Sequence, residues 1–372
     1  MIDATNDRHL WAGTYDKEFK QIFAVQSEVA QKIAAALEAK LSSAEKERIE
    51  SRPTSNPEAY NDYLKGRHHW NKRTAEDLRK ALGYFNQAIE KDPAYAAAYA
   101  GLAETYVLLP EYAGAPATEF YPKAESAAKK ALEIDQSLGE AHAVFALIKI
   151  DQWDYAAGEQ EIKRAIVLSP NSPSAHQWYS LCMLFQGRLD ESLAEMNRAH
   201  DLDPLSLVIN ADIAFNFLFL KQYDKSIEQF KKTLELDQNF IVALAGIGEA
   251  NALKGSYVDA IGSCSKARTL VGDDPFVLGV LGYVYARSGK KDDASLMLDK
   301  LLQLSTKGTP VSFFVALVYE GLGDREKTFQ WLERGYQEHD IYMRNLKVDP
   351  LWDDLRPDPR YSSILKRMGL GI

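Results

Sequence analysis

The chain repeats one phrase at a fixed interval: KKALEIDQ at residues 129–136, KRAIVLSP at 163–170, NRAHDLDP at 197–204 and KKTLELDQ at 231–238. Each copy starts 34 residues after the one before it, and an earlier copy, NQAIEKDP, occupies residues 86–93. A fixed period of this length indicates stacked copies of one small structural unit. The repeat therefore decides the fold class, and the rest of the sequence is interpreted in its register.

The repeat carries three further positions in register. The first holds a small residue in all eight copies: Ala81, Ala124, Gly158, Ser192, Ser226, Ala260, Ala294 and Thr328. Four residues later comes an apolar position, and three residues beyond that a position that is small in seven of the eight copies. Residues at this spacing share one stripe of a helix. The stripe predicts a helix in every copy that packs closely against its neighbours.

A second stripe precedes the first within each copy. Its i, i+3, i+4, i+7 spacing is seen at Tyr99, Leu102, Ala103 and Tyr106. Glycine-containing turns separate the two stripes, at residues 186–188, 254–256, 288–290 and 322–324. Glycine at the end of a helix takes the left-handed conformation that stops it. Each copy is therefore predicted to be a helix, a short turn and an antiparallel helix.

This pattern resembles the tetratricopeptide repeat (TPR), which has the same 34-residue period. The resemblance covers residues 56–342 and implies an all-α superhelical solenoid of about eight helix-turn-helix repeats. Two copies depart from it, because the first has a longer inter-helix turn at residues 71–74 and the second has about nine extra residues within 110–122. Residues 343–372 are predicted to be C-terminal capping helices, which Pro350, Pro357 and Pro359 divide into short pieces.

The first 55 residues do not follow the repeat. Residues 2–15 are predicted to form one or two strands, followed by a helix that starts near Asp16 and a linker before Pro57. Residues 2–37 resemble the last strand and helix of the TolB-like amino-terminal domain, which in bacteria precedes TPR arrays in nucleotide cyclases, serine/threonine kinases and winged-helix regulators. The resemblance implies a short mixed α/β element and a chain that is a fragment or a shortened relative. Strands outside a sheet expose unpaired backbone N–H and C=O groups, which tend to pair with another strand. We therefore predict that residues 2–15 are mobile or pair across a homodimer.

Composition excludes several classes of protein. The 44 basic residues against 53 acidic ones give a net charge of −9, which argues against nucleic acid as a partner. Two cysteines cannot make a disulfide scaffold or a four-thiolate zinc site. No apolar run approaches the roughly 20 residues of a membrane span, and the first 30 residues do not read as a signal peptide. We therefore expect a cytoplasmic protein, with the periplasm as the alternative if a membrane span precedes the chain.

The sequence shows no arrangement typical of catalysis, and it predicts neither a cofactor nor a metal site. His142 and His176 occupy the same position of successive repeats, where packing is a better explanation than zinc binding. Cys264 stands at the apolar position of its repeat. Gly246 and Gly248 fall on a predicted helix and lack the third glycine of a dinucleotide-binding loop. The prediction is therefore a protein that is not an enzyme.

The concave surface of the solenoid is the predicted binding site. In TPR proteins the first helices line this surface, and the matching positions here are Gln177, Leu181, Phe185, Phe215, Phe219, Glu249, Tyr283, Arg287 and Phe313. The Lys and Asn with which chaperone-tail-binding relatives hold a terminal carboxylate are absent from these positions. An apolar, aromatic lining is typical of a groove for an amphipathic helix or an extended peptide. Two alternatives stay open: Phe215 and Phe219 pack between helices, or the chain's own amino-terminal helix fills the groove.

These observations predict a non-catalytic protein–protein interaction scaffold that binds a peptide or helix in its concave groove. The alternative is the regulatory or sensory region of a bacterial multidomain signalling protein, namely a nucleotide cyclase, a serine/threonine kinase or a winged-helix transcription regulator. The sequence does not specify the partner.

Overall fold

Sixteen helices in eight antiparallel pairs make up most of the molecule. The computed structural model describes residues 2–3, 8–9, 22–36 and 54–371. The first four pairs are α2 (Pro57–Trp70) with α3 (Ala75–Lys91), α4 (Ala96–Ala113) with α5 (Ala117–Ile134), α6 (Gly139–Asp151) with α7 (Tyr155–Leu168), and α8 (Pro173–Phe185) with α9 (Leu189–Leu202). The last four pairs are α10 (Leu207–Phe219) with α11 (Tyr223–Leu236), α12 (Ile241–Leu253) with α13 (Tyr257–Val271), α14 (Pro275–Arg287) with α15 (Lys291–Thr306), and α16 (Ser312–Leu322) with α17 (Arg325–Glu338). Each pair is one sequence repeat, so the predicted all-α solenoid of about eight helix-turn-helix repeats is confirmed.

The described residues of the amino-terminal element form two short strands and one helix. Strand β1 (Ile2–Asp3) pairs antiparallel with β2 (Arg8–His9), with Ile2 opposite His9. Helix α1 (Ile22–Ala36) lies within the predicted amino-terminal helix. The rest of the predicted strand region, the helix start near Asp16 and the linker at residues 51–53 lie outside the described residues.

The helix stripe of small and apolar residues in each repeat forms the core of the solenoid. All eight residues at the first small position are fully buried, and so are the apolar residues four positions on, of which Leu298 is the most exposed. Phe85 shows how the stripe works, because its ring fills the space beside Gly66 of its own repeat and Gly101 of the next. A methyl group built on either glycine would come within 2.6 Å of that ring. The missing side chains let neighbouring helices approach closely, as the sequence predicted.

In seven of the eight repeats, the turn between the two helices places a left-handed residue two positions before the second helix. Four repeats use glycine there, at Gly187, Gly255, Gly289 and Gly323. Three use a larger residue at positive φ, namely Arg73 (54°), Trp153 (65°) and Lys221 (59°). Because a left-handed backbone costs a non-glycine residue about 1–2 kcal/mol, the three side chains are expected to make compensating contacts.

The chain turns back after the eighth repeat instead of extending the stack. Residues 341–355, here called the strap, contain two 3-10 segments, Ile341–Asn345 and Pro350–Leu355, and are followed by α18 (Pro359–Arg367). The strap crosses the concave face: Arg344 pairs with Asp151 of α6 and Glu111 of α4, and Asp353 pairs with Lys221 beyond α10. The carboxyl-terminal segment thus lies inside the groove.

The extra residues of the second repeat explain how the strap reaches the first half of the array. They lengthen α4 and α5 to 18 residues each, against 13 in α6, and carry Pro110 and Pro122 inside helices. The added turn of α4 presents Glu111, whose carboxylate pairs with Arg344 and whose carbonyl accepts a hydrogen bond from the Tyr342 hydroxyl at 3.2 Å. The insertion therefore has a structural role on the concave side.

Candidate functional site: the concave cavity

A cavity of about 860 Å³ lies on the concave side of the array. Its walls are the first helices of the second to eighth repeats together with the turn at residues 72–77, and the strap forms part of the boundary through Tyr342, Arg344, Asp349 and Leu351. Most of the chain's length therefore contributes to one site. This volume falls in the range of ligand pockets, which is about 300–1,000 Å³.

Aromatic side chains form the apolar wall of the cavity. Phe215 stacks on Phe219 at 6.1 Å between ring centroids and meets Phe230 of the core edge-on at 5.0 Å. Phe313 packs edge-on against Trp352 of the strap at 5.2 Å. Phe215 is half-buried and Phe219 is buried, and both line the cavity while packing against the helices behind them. Each of these two rings therefore lines the groove and also packs between helices.

The structure brings seven of the nine predicted groove residues to this cavity: Gln177, Leu181, Phe185, Phe215, Phe219, Glu249 and Phe313. The other two lie elsewhere. Tyr283 is buried against Gly321 of α16, and Arg287 is exposed and pairs with Asp354 at 3.3 Å. Arg287 therefore belongs to the contact between the array and the end of the strap, whereas Tyr283 belongs to the packing between α14 and α16.

Arg344 fixes the strap at the centre of the groove. The Arg344 guanidinium donates to Glu111 at 2.9 Å and to the buried Asp151 carboxylate, which also accepts from the Tyr121 hydroxyl at 2.5 Å. It also lies 4.9 Å from the ring centroid of Phe185. A buried cation held by two acids from different repeats makes the strap part of the core rather than a loose tail.

Acidic side chains also line the cavity. Asp212 accepts a hydrogen bond from the Gln177 amide at 2.6 Å, and burial raises the pKa of Asp212 to about 7. Glu249 from α12 lies beside Asp349 from the strap, and burial raises the pKa of Glu249 well above its usual range and that of Asp349 to about 7. The cavity thus combines an aromatic wall with desolvated carboxyl groups.

The sequence did not single out several of these residues. Asp212 stands at a repeat position that the groove register does not include, and Glu111 belongs to an insertion. Tyr342, Arg344 and Asp349 lie at or beyond the end of the repeat, where no register predicts which way a side chain faces. The two 34-spaced histidines are buried in the packing between helices: His142 contacts Glu161 at 2.8 Å, and His176 contacts Glu195 and the Pro170 carbonyl. In the part of the chain that the structure describes, no three metal-ligating side chains come together.

Comparison with known proteins agrees with the geometry. A family model described as a tetratricopeptide repeat matches residues 70–128. A chain of the APC/C hetero-tetramer Cut9–Hcn1 superposes with a TM-score of 0.57 at 15% identity, over 84% of this chain and 55% of that one. The human IFIT1 dimer with PPP-AAAA gives 0.53 at 15% identity, over 86% of this chain and 81% of that one. The chain has the tetratricopeptide-repeat fold. At these identities the solved structures show the TPR fold alone.

One sequence relative is larger than this chain. A protein of Rhizobium meliloti that is named as an adenylate cyclase is 36% identical over 149 residues. The match spans 40% of this TPR chain and only 25% of the relative. Among the described helices of the TPR chain, none has the length and apolar character needed to cross a membrane.

Proposed function

We propose that this TPR protein is a non-catalytic interaction scaffold that binds a peptide or helical segment of a partner protein in its concave cavity. The observation that carries the proposal is the cavity itself, which has an aromatic wall that the chain's own side chains leave open. Apolar side chains of a partner that enter the cavity would release water from this wall, which favours binding. The TPR architecture supports the general role of a protein-interaction scaffold.

The dimensions of the cavity limit what it can hold. A helix with its side chains is about 10–12 Å across and rises 5.4 Å per turn, so that a volume near 860 Å³ accommodates about two turns. With the strap in place, the guest is therefore a short segment with a few anchoring side chains. A long helix along the whole groove would require the strap to leave.

A displayed library of random peptides tests this proposal. Peptides selected on the wild-type protein are measured against Leu181→Glu, which places a charge on the half-buried cavity wall, and against Val167→Glu, which changes a valine that is 79% exposed. We expect affinity to fall about tenfold or more with Leu181→Glu, because a carboxylate buried against an apolar guest lacks a partner. We expect Val167→Glu to bind as wild type. Circular dichroism confirms that both variants fold. Selected peptides that bind Leu181→Glu with unchanged affinity would rule out the cavity as the site.

A second candidate function is the regulatory region of a bacterial multidomain signalling protein. The relative named as an adenylate cyclase favours this candidate, as does the resemblance of residues 2–37 to the tail of a TolB-like domain. DNA sequencing upstream of Met1 tests it. A reading frame that continues into a cyclase, kinase or winged-helix domain is the expected result, and a stop codon directly upstream would contradict it. The homodimer through residues 2–15 stays a prediction that sedimentation equilibrium can test.

A further inference from the structure

The polar lining of the cavity is strongly acidic. Eight residues with a carboxyl side chain line it against three that carry a positive charge. A guest with hydrogen-bond donors and positive charge therefore fits this surface better than a guest with acceptors.

The three cations are already engaged. Arg344 pairs with Asp151 and Glu111, and Lys72 pairs with Asp77 at 3.3 Å. Arg73 lies over the Trp70 ring, 3.5 Å from its centroid. None of the three pairs with the carboxyl groups of Glu249 and Asp349, at the end of the cavity where α12 meets the strap. Arg356 lies near this end and donates to the Asp349 backbone carbonyl at 3.2 Å, but it makes no ion pair with either carboxyl group.

Glu249 is the unpaired group at that end. Its side chain lines the cavity, the residue is only 4% exposed, and its carboxyl group makes neither a hydrogen bond nor an ion pair with a described residue. Asp349 beside it accepts the Leu351 amide at 2.9 Å through one oxygen and has its second oxygen free of described partners. A buried carboxyl group without a partner costs free energy, which a ligand that supplies donors recovers.

We propose that the segment bound in the cavity carries a lysine or arginine side chain that pairs with Glu249 and Asp349, between apolar residues that contact the aromatic wall. This inference rests on the proposed function, since it names the chemistry of the guest in the same cavity. The acidic lining gives charge complementarity, and a protein segment supplies the apolar neighbours that an isolated cation would lack.

The surroundings of the two acids suit a basic side chain. Charge-assisted hydrogen bonds to a carboxylate are shorter and about twice as strong as neutral ones, and more so where water is excluded. Phe215 and Phe219 line the same cavity, and aromatic rings attract a nearby cation. Because burial raises the pKa values of Glu249 and Asp349, the empty cavity disfavours two negative charges, and a guest cation restores the ionised form.

Three synthetic peptides test the proposal by isothermal titration calorimetry. They are N-acetylated, C-amidated heptapeptides of leucine and phenylalanine with lysine, norleucine or glutamate at the centre. We expect the lysine peptide to bind about tenfold or more tightly than the norleucine peptide, and the glutamate peptide to bind least. The Glu249→Gln variant should lose the preference for lysine while keeping its affinity for norleucine. Asp349→Asn, which preserves the cap of the 3-10 segment, should weaken the preference as well.

The controls separate this proposal from the proposed function. Glu228→Gln changes an exposed acid on α11 and should keep the lysine preference in full. Equal binding of the lysine and norleucine peptides would overturn the basic-residue proposal but would still agree with the proposed function, which is peptide binding in the cavity. If hexylamine, a small amine without a peptide backbone, binds and none of the peptides does, the proposal that the guest is a protein segment is wrong. No peptide binding at all would overturn both proposals.

Discussion

At the scale of single residues, the TPR array depends on places where one helix fills the space left by a missing side chain on the next. Gly246 of α12 faces Phe230 of α11, and a methyl group built on Gly246 would lie 2.3 Å from the ring. Phe230 is fully buried, so its ring cannot swing away into solvent. The glycine is therefore needed for packing, although glycine inside a helix is intrinsically unfavourable.

We predict opposite effects for two glycine-to-alanine changes in adjacent helices. Gly246→Ala should destabilise the protein by about 1–3 kcal/mol, because the added methyl overpacks the core against Phe230. Gly262→Ala in α13, where nothing lies within 4 Å of the added methyl, should stabilise it by about 0.5–1 kcal/mol through helix propensity. Urea unfolding of both variants measures the difference. A stabilising Gly246→Ala would show that α11 and α12 are not packed this closely.

His176 makes the stability depend on pH. The hydrogen bond from its imidazole to Glu195 is the main cause that raises the pKa of His176 above its ordinary value of 6.5. A group with a raised folded-state pKa contributes stability that is complete below its unfolded pKa and is lost as pH rises through the folded one. We therefore predict that the free energy of unfolding of the wild type declines above pH 6.5 relative to His176→Gln. Parallel pH curves for the two proteins would contradict this.

At the scale of elements, the strap is the feature that the sequence could not predict. Helix pairs follow from a pattern that recurs every 34 residues, so even a small residue such as Ser192 could be placed in the core by its register. The strap occurs once, and its position depends on contacts between residues more than 190 apart, such as Arg344 with Asp151. The prolines indicated short pieces but not where they dock. Phe185, Phe215, Phe219 and Phe313 of the aromatic wall were therefore predictable, whereas Asp349 and Arg344 were not.

Two arginine substitutions separate the buried contacts of the strap from the surface ion pairs. Arg344→Met should destabilise the protein by about 3–5 kcal/mol and speed amide exchange in residues 341–355, because it leaves Asp151 and Glu111 without their cation. Arg360→Met removes ion pairs with Glu326 at 2.9 Å and Asp358 at 3.0 Å and a contact with the Phe329 ring, all outside the strap, and should change both quantities much less. Equal effects of the two changes on strap exchange would show that Arg344 does not hold the strap.

At the scale of the whole molecule, contacts between distant repeats close the array. Trp153, in the turn of the third repeat, stacks on Tyr336 and His339 at the end of the eighth, at 5.2 and 4.7 Å between ring centroids. A simple solenoid has contacts only between neighbouring repeats and unfolds piecewise. Closure joins the two halves, and it gives Trp153 the compensating contact that its left-handed backbone requires.

Replacing two of the three large turn residues, Trp153 and Lys221, with glycine tests this closure. Trp153→Gly should destabilise the protein by about 2 kcal/mol or more, since the lost aromatic packing exceeds the relief of backbone strain. It should also broaden the urea transition. Lys221→Gly relieves the same strain but loses only an exposed ion pair with Asp353, so that we expect little net change. A neutral Trp153→Gly with a sharp transition would mean that repeats three and eight are not coupled.

The most direct test of the account is an amide hydrogen-exchange footprint of the wild-type protein with the lysine heptapeptide bound. The account predicts slower exchange in α8, α10 and α12 and in the strap, because these elements enclose the cavity around Phe215 and Glu249. Protection confined to the outer helices, such as α7, α9 and α11, or protection of none of these elements, would contradict binding in the concave cavity.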